Sequence, residues 1–91
     1  METSNFNESM TNKIKGHWER ISSELTEMNK ELLTKISKIK YYDDKKIEVL
    51  FKDNATMQEV ISNKFNVGYY IITVAQIVGV EINKVEYKIE E

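Results

Sequence analysis

Ninety-one residues and 10.7 kDa make one small domain, with no room for a second core. Charged residues are 31% of the chain, the hydrophobic set is 41%, and the net charge is -2, so a dedicated phosphate-backbone binder, which would be strongly basic, is not the default. There is no cysteine and one histidine, which excludes disulfides, thiolate catalysis, zinc–cysteine sites and iron–sulfur clusters, and with them a histidine-rich metal site.

The first residues are polar, with no basic region followed by an apolar one, so a secretory signal is not indicated and a cytoplasmic protein is expected. The apolar run from Tyr69 to Val80 is interrupted by Thr73, Gln76 and Gly79 and is too short to span a bilayer, so no membrane association is expected. Residues 1–11 read as a disordered lead-in, and residues 12–91 as a single domain.

Ile14, Trp18, Ile21, Leu25, Met28 and Leu32 follow one another at alternating steps of four and three, the spacing of one helix stripe. Ser9 or Thr11 is the expected N-cap. Ile36 and Ile39 prolong the stripe. Either one helix runs to about Ile39, or it breaks near Asn29 and a short second helix follows; the second reading is preferred. From Lys38 the period shifts to two. Ile39 and Tyr41 alternate with lysines, Asp43-Asp44-Lys45 forms a turn, and Ile47, Val49 and Phe51 alternate again, predicting a β-hairpin. Asp53-Asn54 ends the strand and caps a helix carrying Met57, Val60, Ile61 and Phe65, with a break near Asn66-Val67-Gly68. Tyr69 to Val74 is β-branched and aromatic, which favours strand by propensity. Helix is preferred because Ile71, Val74, Ala75 and Val78 share a face and Gly79 supplies a C-terminal cap. Val85, Tyr87 and Ile89 form a last strand, with a bulge expected near Asn83-Lys84 because Val80 and Ile82 have the opposite parity. The expected fold class is α+β: a two-layer sandwich in the order α-α-β-β-α-β, with a three-stranded sheet and helices on one face.

Chemistry is sparse. His17 stands beside Trp18 on a helix with no acid or base partner at a useful spacing. Asp43 and Asp44 are adjacent turn residues that point different ways, and a hard cation needs several converging oxygens. Gly16, Gly68 and Gly79 match no nucleotide-binding loop, so no cofactor and no enzymatic activity are expected. Two binding surfaces remain. Ile14, Trp18 and Ile21 form a protein-binding patch if the first helix is only partly covered. Between Lys30 and Lys52 seven lysines face four acids, so Lys35, Lys38, Lys40, Tyr41, Tyr42, Lys45 and Lys46 are the alternative, a single-stranded nucleic-acid surface. The Gly-x-x-Gly loop of KH domains is absent. A third reading uses the Ile14–Leu32 stripe as a homo-oligomer seam, as in a small phage-type inhibitor or structural oligomer.

Ile14-Lys15-x-x-Trp18, then Ile21, Leu25, Asn29 and Leu32-Leu33, resembles the opening of the C-terminal KH-like domain in the gamma/tau subunit of the DNA polymerase III clamp loader. The hairpin ending Ile47 to Lys52 is similar to that family's strand pair, and Ile71 to Gly79 followed by the strand Val85 to Ile89 resembles its closing helix, glycine and strand. The resemblance covers roughly residues 12 to 90. The N-terminal domain of the bacterial replication initiator is similar through Asn54, Val60-Ile61, Phe65 and Gly79, but Asp53 stands where that family has proline and Val60 where it has tryptophan. The resemblance implies a non-catalytic docking domain of bacterial DNA replication. Its implied partners are the polymerase catalytic subunit, the replicative helicase or a regulator. It further implies a fragment of a longer protein, or a stand-alone reuse of the fold.

Overall fold

The computed structural model describes residues 5–90, apart from the Ser23 side chain. Asn7, not Ser9 or Thr11, caps the first helix: its side chain accepts from the Met10 N–H at 2.9 Å. The resulting helix α1 spans Glu8–Ile21. This corrects the disordered lead-in expected over residues 1–11. Residues 1–4 lie outside the described residues, and from residue 5 the chain is bonded to the hairpin. The Asn7 N–H donates to the Tyr41 carbonyl at 2.7 Å, and the Asp43 N–H to the Asn5 carbonyl at 2.9 Å.

The helical stretch does divide in two, but earlier than Asn29. A short 3-10 turn over Ser22–Glu24 ends α1, and Thr26 caps α2 (Glu27–Thr34) by accepting from the Asn29 N–H. The turn breaks the stripe. Ile14, Leu32 and Leu33 are buried, whereas Met28 is 71% exposed, so the six residues do not share one face and offer no continuous oligomer seam.

Strands β1 (Ile36–Tyr41) and β2 (Lys46–Phe51) pair antiparallel, pairing Tyr41 with Ile47 and Ile39 with Val49. Their hairpin places Lys45 at φ 67, and the Lys45 N–H donates to the Tyr42 carbonyl at 2.9 Å. Asp53 caps α3 (Asn54–Ile61) and Asn66 caps α4 (Val67–Ile77). Residues 69–74 are therefore helical, as preferred, and a second helix is added to the expected order between the strands. Strong β propensity yields because this stretch is fixed at both ends. At the far end Gly79 adopts φ 79, its N–H donates to the Gln76 carbonyl, and the Val80 N–H donates to the Ala75 carbonyl, a Schellman closure.

The two helices carry the chain back so that β3 (Lys84–Ile89) joins β2 in parallel, giving the sheet order β1-β2-β3. The bulge expected near Asn83-Lys84 lies instead in β1, between Ile36 and Lys38. Residues 80–83 are not strand, and the Asn83 N–H reaches the Lys45 carbonyl at 2.7 Å. One sheet face carries Ile39, Tyr41, Ile47, Val49, Phe51 and Tyr87. The helices bury it with Ile14, Leu33, Val60, Ile71 and Val74. This is an α+β sandwich of two layers. The other sheet face carries lysines and glutamates around a buried Leu50.

Candidate protein-docking site

The structure separates the three residues expected to form one patch. Ile14 is fully buried and cannot touch a partner, which corrects its place in an exposed patch. Trp18 and Ile21 are half-buried and pack against the core. Trp18 meets Tyr70 edge-to-face, with ring centroids 6.3 Å apart, and Tyr70 meets Phe65 at 5.6 Å. The Tyr70 hydroxyl donates to the Trp18 carbonyl at 3.5 Å.

The remaining exposed part of Trp18 lines a groove of about 370 Å³ between α1, α2 and β1. Leu33, Ile36 and Ile39 give it an apolar lining, and Lys15, Lys30 and Lys38 stand around it with one acid, Glu19. The volume lies within the range of ligand and side-chain pockets. Lys30 is 3.4 Å from Glu27, whose side chain is 92% exposed, and Lys38 is 3.3 Å from Glu90. Sequence reasoning found Trp18 but missed Lys15 and Lys30, because they lie on separate helices and only the turn at Ser22–Glu24 folds one towards the other.

The nucleic-acid set is dispersed. Tyr41 is buried on the helix-facing side and its hydroxyl donates to the Glu81 carbonyl at 2.7 Å, so it offers no stacking face. Tyr42 points to the opposite side, where its hydroxyl donates to Glu48 at 2.9 Å and Lys46 lies 4.7 Å over its ring. Lys35 pairs with Glu59 at 3.1 Å and Lys45 with Glu81. Lys46 sits 3.5 Å from Glu86, and Lys40 lies 6.0 Å from the Phe6 ring.

Glu48 anchors the open face. Its side chain is only 9% exposed, with Lys88 at 2.7 Å and Lys46 at 3.9 Å. Burial alone would push its carboxyl up. Hydrogen bonds from Lys88 and Tyr42 and the two lysine charges outweigh that and hold it below the usual carboxylate range. The same contact raises the Lys88 ammonium. Asp43 accepts from the Asn7 side-chain amide and Asp44 from the Lys46 N–H, so both serve the turn. Among the described residues no group of three or more His, Cys, Asp or Glu is placed to hold a metal ion, and no helix is long and apolar enough to cross a membrane.

No protein-family model, curated protein or solved structure matches this chain.

Proposed function

We propose that this chain is a non-catalytic protein-docking module of the bacterial DNA-replication machinery, acting in the cytoplasm as a clamp-loader tau-type domain does. The observation that carries the docking reading is the groove beside Trp18: an apolar lining open to solvent, with an aromatic wall of the residue type that concentrates binding energy at interfaces. The resemblance over residues 12 to 90, together with the helices gathered on one side of a three-stranded sheet, supports the replication context.

The single-stranded nucleic-acid alternative is weighed down by its own lysines. Lys35, Lys38, Lys45 and Lys46 already lie beside carboxylates, and Tyr41 is interior. Titrating purified polymerase catalytic subunit and replicative helicase while following Trp18 fluorescence tests the docking reading. Micromolar binding of one of them with little salt dependence is expected. Silence with both, or oligonucleotide binding that falls steeply with salt, overturns it.

A further inference from the structure

The outer edge of β3 is open, and hydrogen-bond parity says which residues line it. The Glu90 N–H donates to the Phe51 carbonyl at 2.7 Å. In this parallel pair the even-numbered residues of β3 therefore bond to β2, and Val85, Tyr87 and Ile89 turn their N–H and C=O groups away from it. Among the described residues no hydrogen bond reaches those outward groups. The β1 edge differs: there the Asn7 N–H and the Thr11 hydroxyl occupy Tyr41, and Ile39 is buried. Along β3, Val85 and Tyr87 are half-buried and Ile89 is 37% exposed. Ile61, which shares a hollow with Tyr87 where α3 lies against β3, is 43% exposed. An unblocked edge with apolar side chains beside it is a template for another strand.

We propose that two copies of this chain pair through β3, antiparallel and centred on Tyr87, joining their two sheets into one. The segment Lys84-Val85-Glu86-Tyr87-Lys88-Ile89-Glu90 is complementary to its own reverse. About a two-fold axis at Tyr87, Lys84 faces Glu90 of the second copy, Val85 faces Ile89, Glu86 faces Lys88, and Tyr87 faces itself. Parity selects the same frame, because an outward residue must meet an outward residue. Sliding by the smallest allowed step either opposes Lys84 to Lys88 and Glu86 to itself, or opposes Glu86 to Glu90 and Lys88 to itself. Register, not net charge, chooses this occupant. Within the chain Lys84 already lies 3.4 Å from Glu86, Lys88 2.7 Å from Glu48 and Lys38 3.3 Å from Glu90, so the open face attracts neither sign. The gain comes from main-chain bonds and from Val85, Tyr87 and Ile89, which cover one another across the axis on the helix-facing side. With the β1 edge covered, a second copy has only β3 to meet, and the assembly closes at two. β3 is the far edge of the sheet from β1, so pairing leaves the groove beside Trp18 uncovered and does not depend on the docking reading.

Sedimentation equilibrium of the full chain, from about 10 μM to about 1 mM, reads the pairing. One strand pair is smaller than a standard interface, so a dissociation constant of about 100 μM is expected. Lys84→Glu and Glu90→Lys, each checked for folding by circular dichroism, oppose like charges at both ends of the pairing. Each alone should weaken it about tenfold. In an equal mixture the unlike chains regain both lysine–glutamate contacts, and association should return to within about threefold of the parent. Ile89→Pro removes an outward N–H that the chain itself does not use and should abolish pairing. Should that variant not fold, the mixing experiment decides alone. Hydrogen exchange places the contact: the Val85, Tyr87 and Ile89 amides should slow as concentration rises. A monomeric mass up to about 1 mM, growth beyond two copies, a mixture no tighter than its components, or no slowing at these amides overturns the proposal.

Discussion

Gly16 and Gly68 both lie in helices, yet a methyl group would meet opposite fates at the two. A Cβ on Gly16 would find nothing within 4 Å, and the residue is exposed on α1. Gly16→Ala should raise stability by about 0.5–1 kcal/mol through helix propensity alone. A Cβ on Gly68 would stand 2.5 Å from the Tyr87 hydroxyl, which receives a hydrogen bond from the Gly68 backbone. Gly68→Ala must displace a half-buried ring from β3 and should cost about 1–3 kcal/mol. Urea unfolding of the two variants beside the parent measures both signs; a stabilised Gly68→Ala would contradict the packing described. Thr11 is a second pivotal residue. Its hydroxyl donates to the Asn7 carbonyl at 2.7 Å and accepts the Tyr41 N–H at 2.8 Å, tying the start of α1 to the strand edge. Thr11→Val keeps the shape and orphans a buried N–H, so a loss of about 1–3 kcal/mol is expected, with faster exchange of the Tyr41 amide.

At the level of elements, the open sheet face is centred on Glu48, whose carboxylate accepts from Tyr42 and Lys88. A carboxyl lowered by folding stabilises the native state above its unfolded pKa, about 4.3, and that contribution disappears as pH falls through the folded value. The raised Lys88 describes the same contact from the basic side, with its contribution present at neutral pH and lost only in strong alkali. Glu48→Gln should lower the urea midpoint near neutral pH by an equivalent of about 1–3 kcal/mol and flatten the loss of stability as pH falls below the ordinary carboxylate range. An acid limb unchanged by the substitution would show that other carboxyls govern it. Both hairpin strands and β3 were legible because period-two alternation is a local signal that burial on one face reinforces. The end of α1 was not: no proline or glycine marks Ser22, and the break is set by how α2 must turn to place Leu32 and Leu33 in the core. The stripe is visible in the spacing, but which of its members the sheet covers is not, so spacing groups Ile14, which is fully buried, with Trp18.

For the molecule as a whole, three elements compose the candidate site, and no single segment holds it complete. Trp18 comes from α1, Leu33 from α2 and Ile36 and Ile39 from β1. That explains why helical spacing leads to Ile14, Trp18 and Ile21 and not to Leu33. A groove assembled from three elements depends on tertiary order, so agents that loosen the sandwich should abolish binding before they erase helical content.

The central strand β2 has a further implication. One of its two neighbours, β3, is drawn from residues 84–89, after a long excursion through α3 and α4. Until those last residues arrive, β2 is a naked flank of Ile47, Val49 and Phe51 with half its ladder unmade. Closure of this sandwich thus waits on β3, and a nascent chain that has not yet delivered residues 84–89 would be sticky.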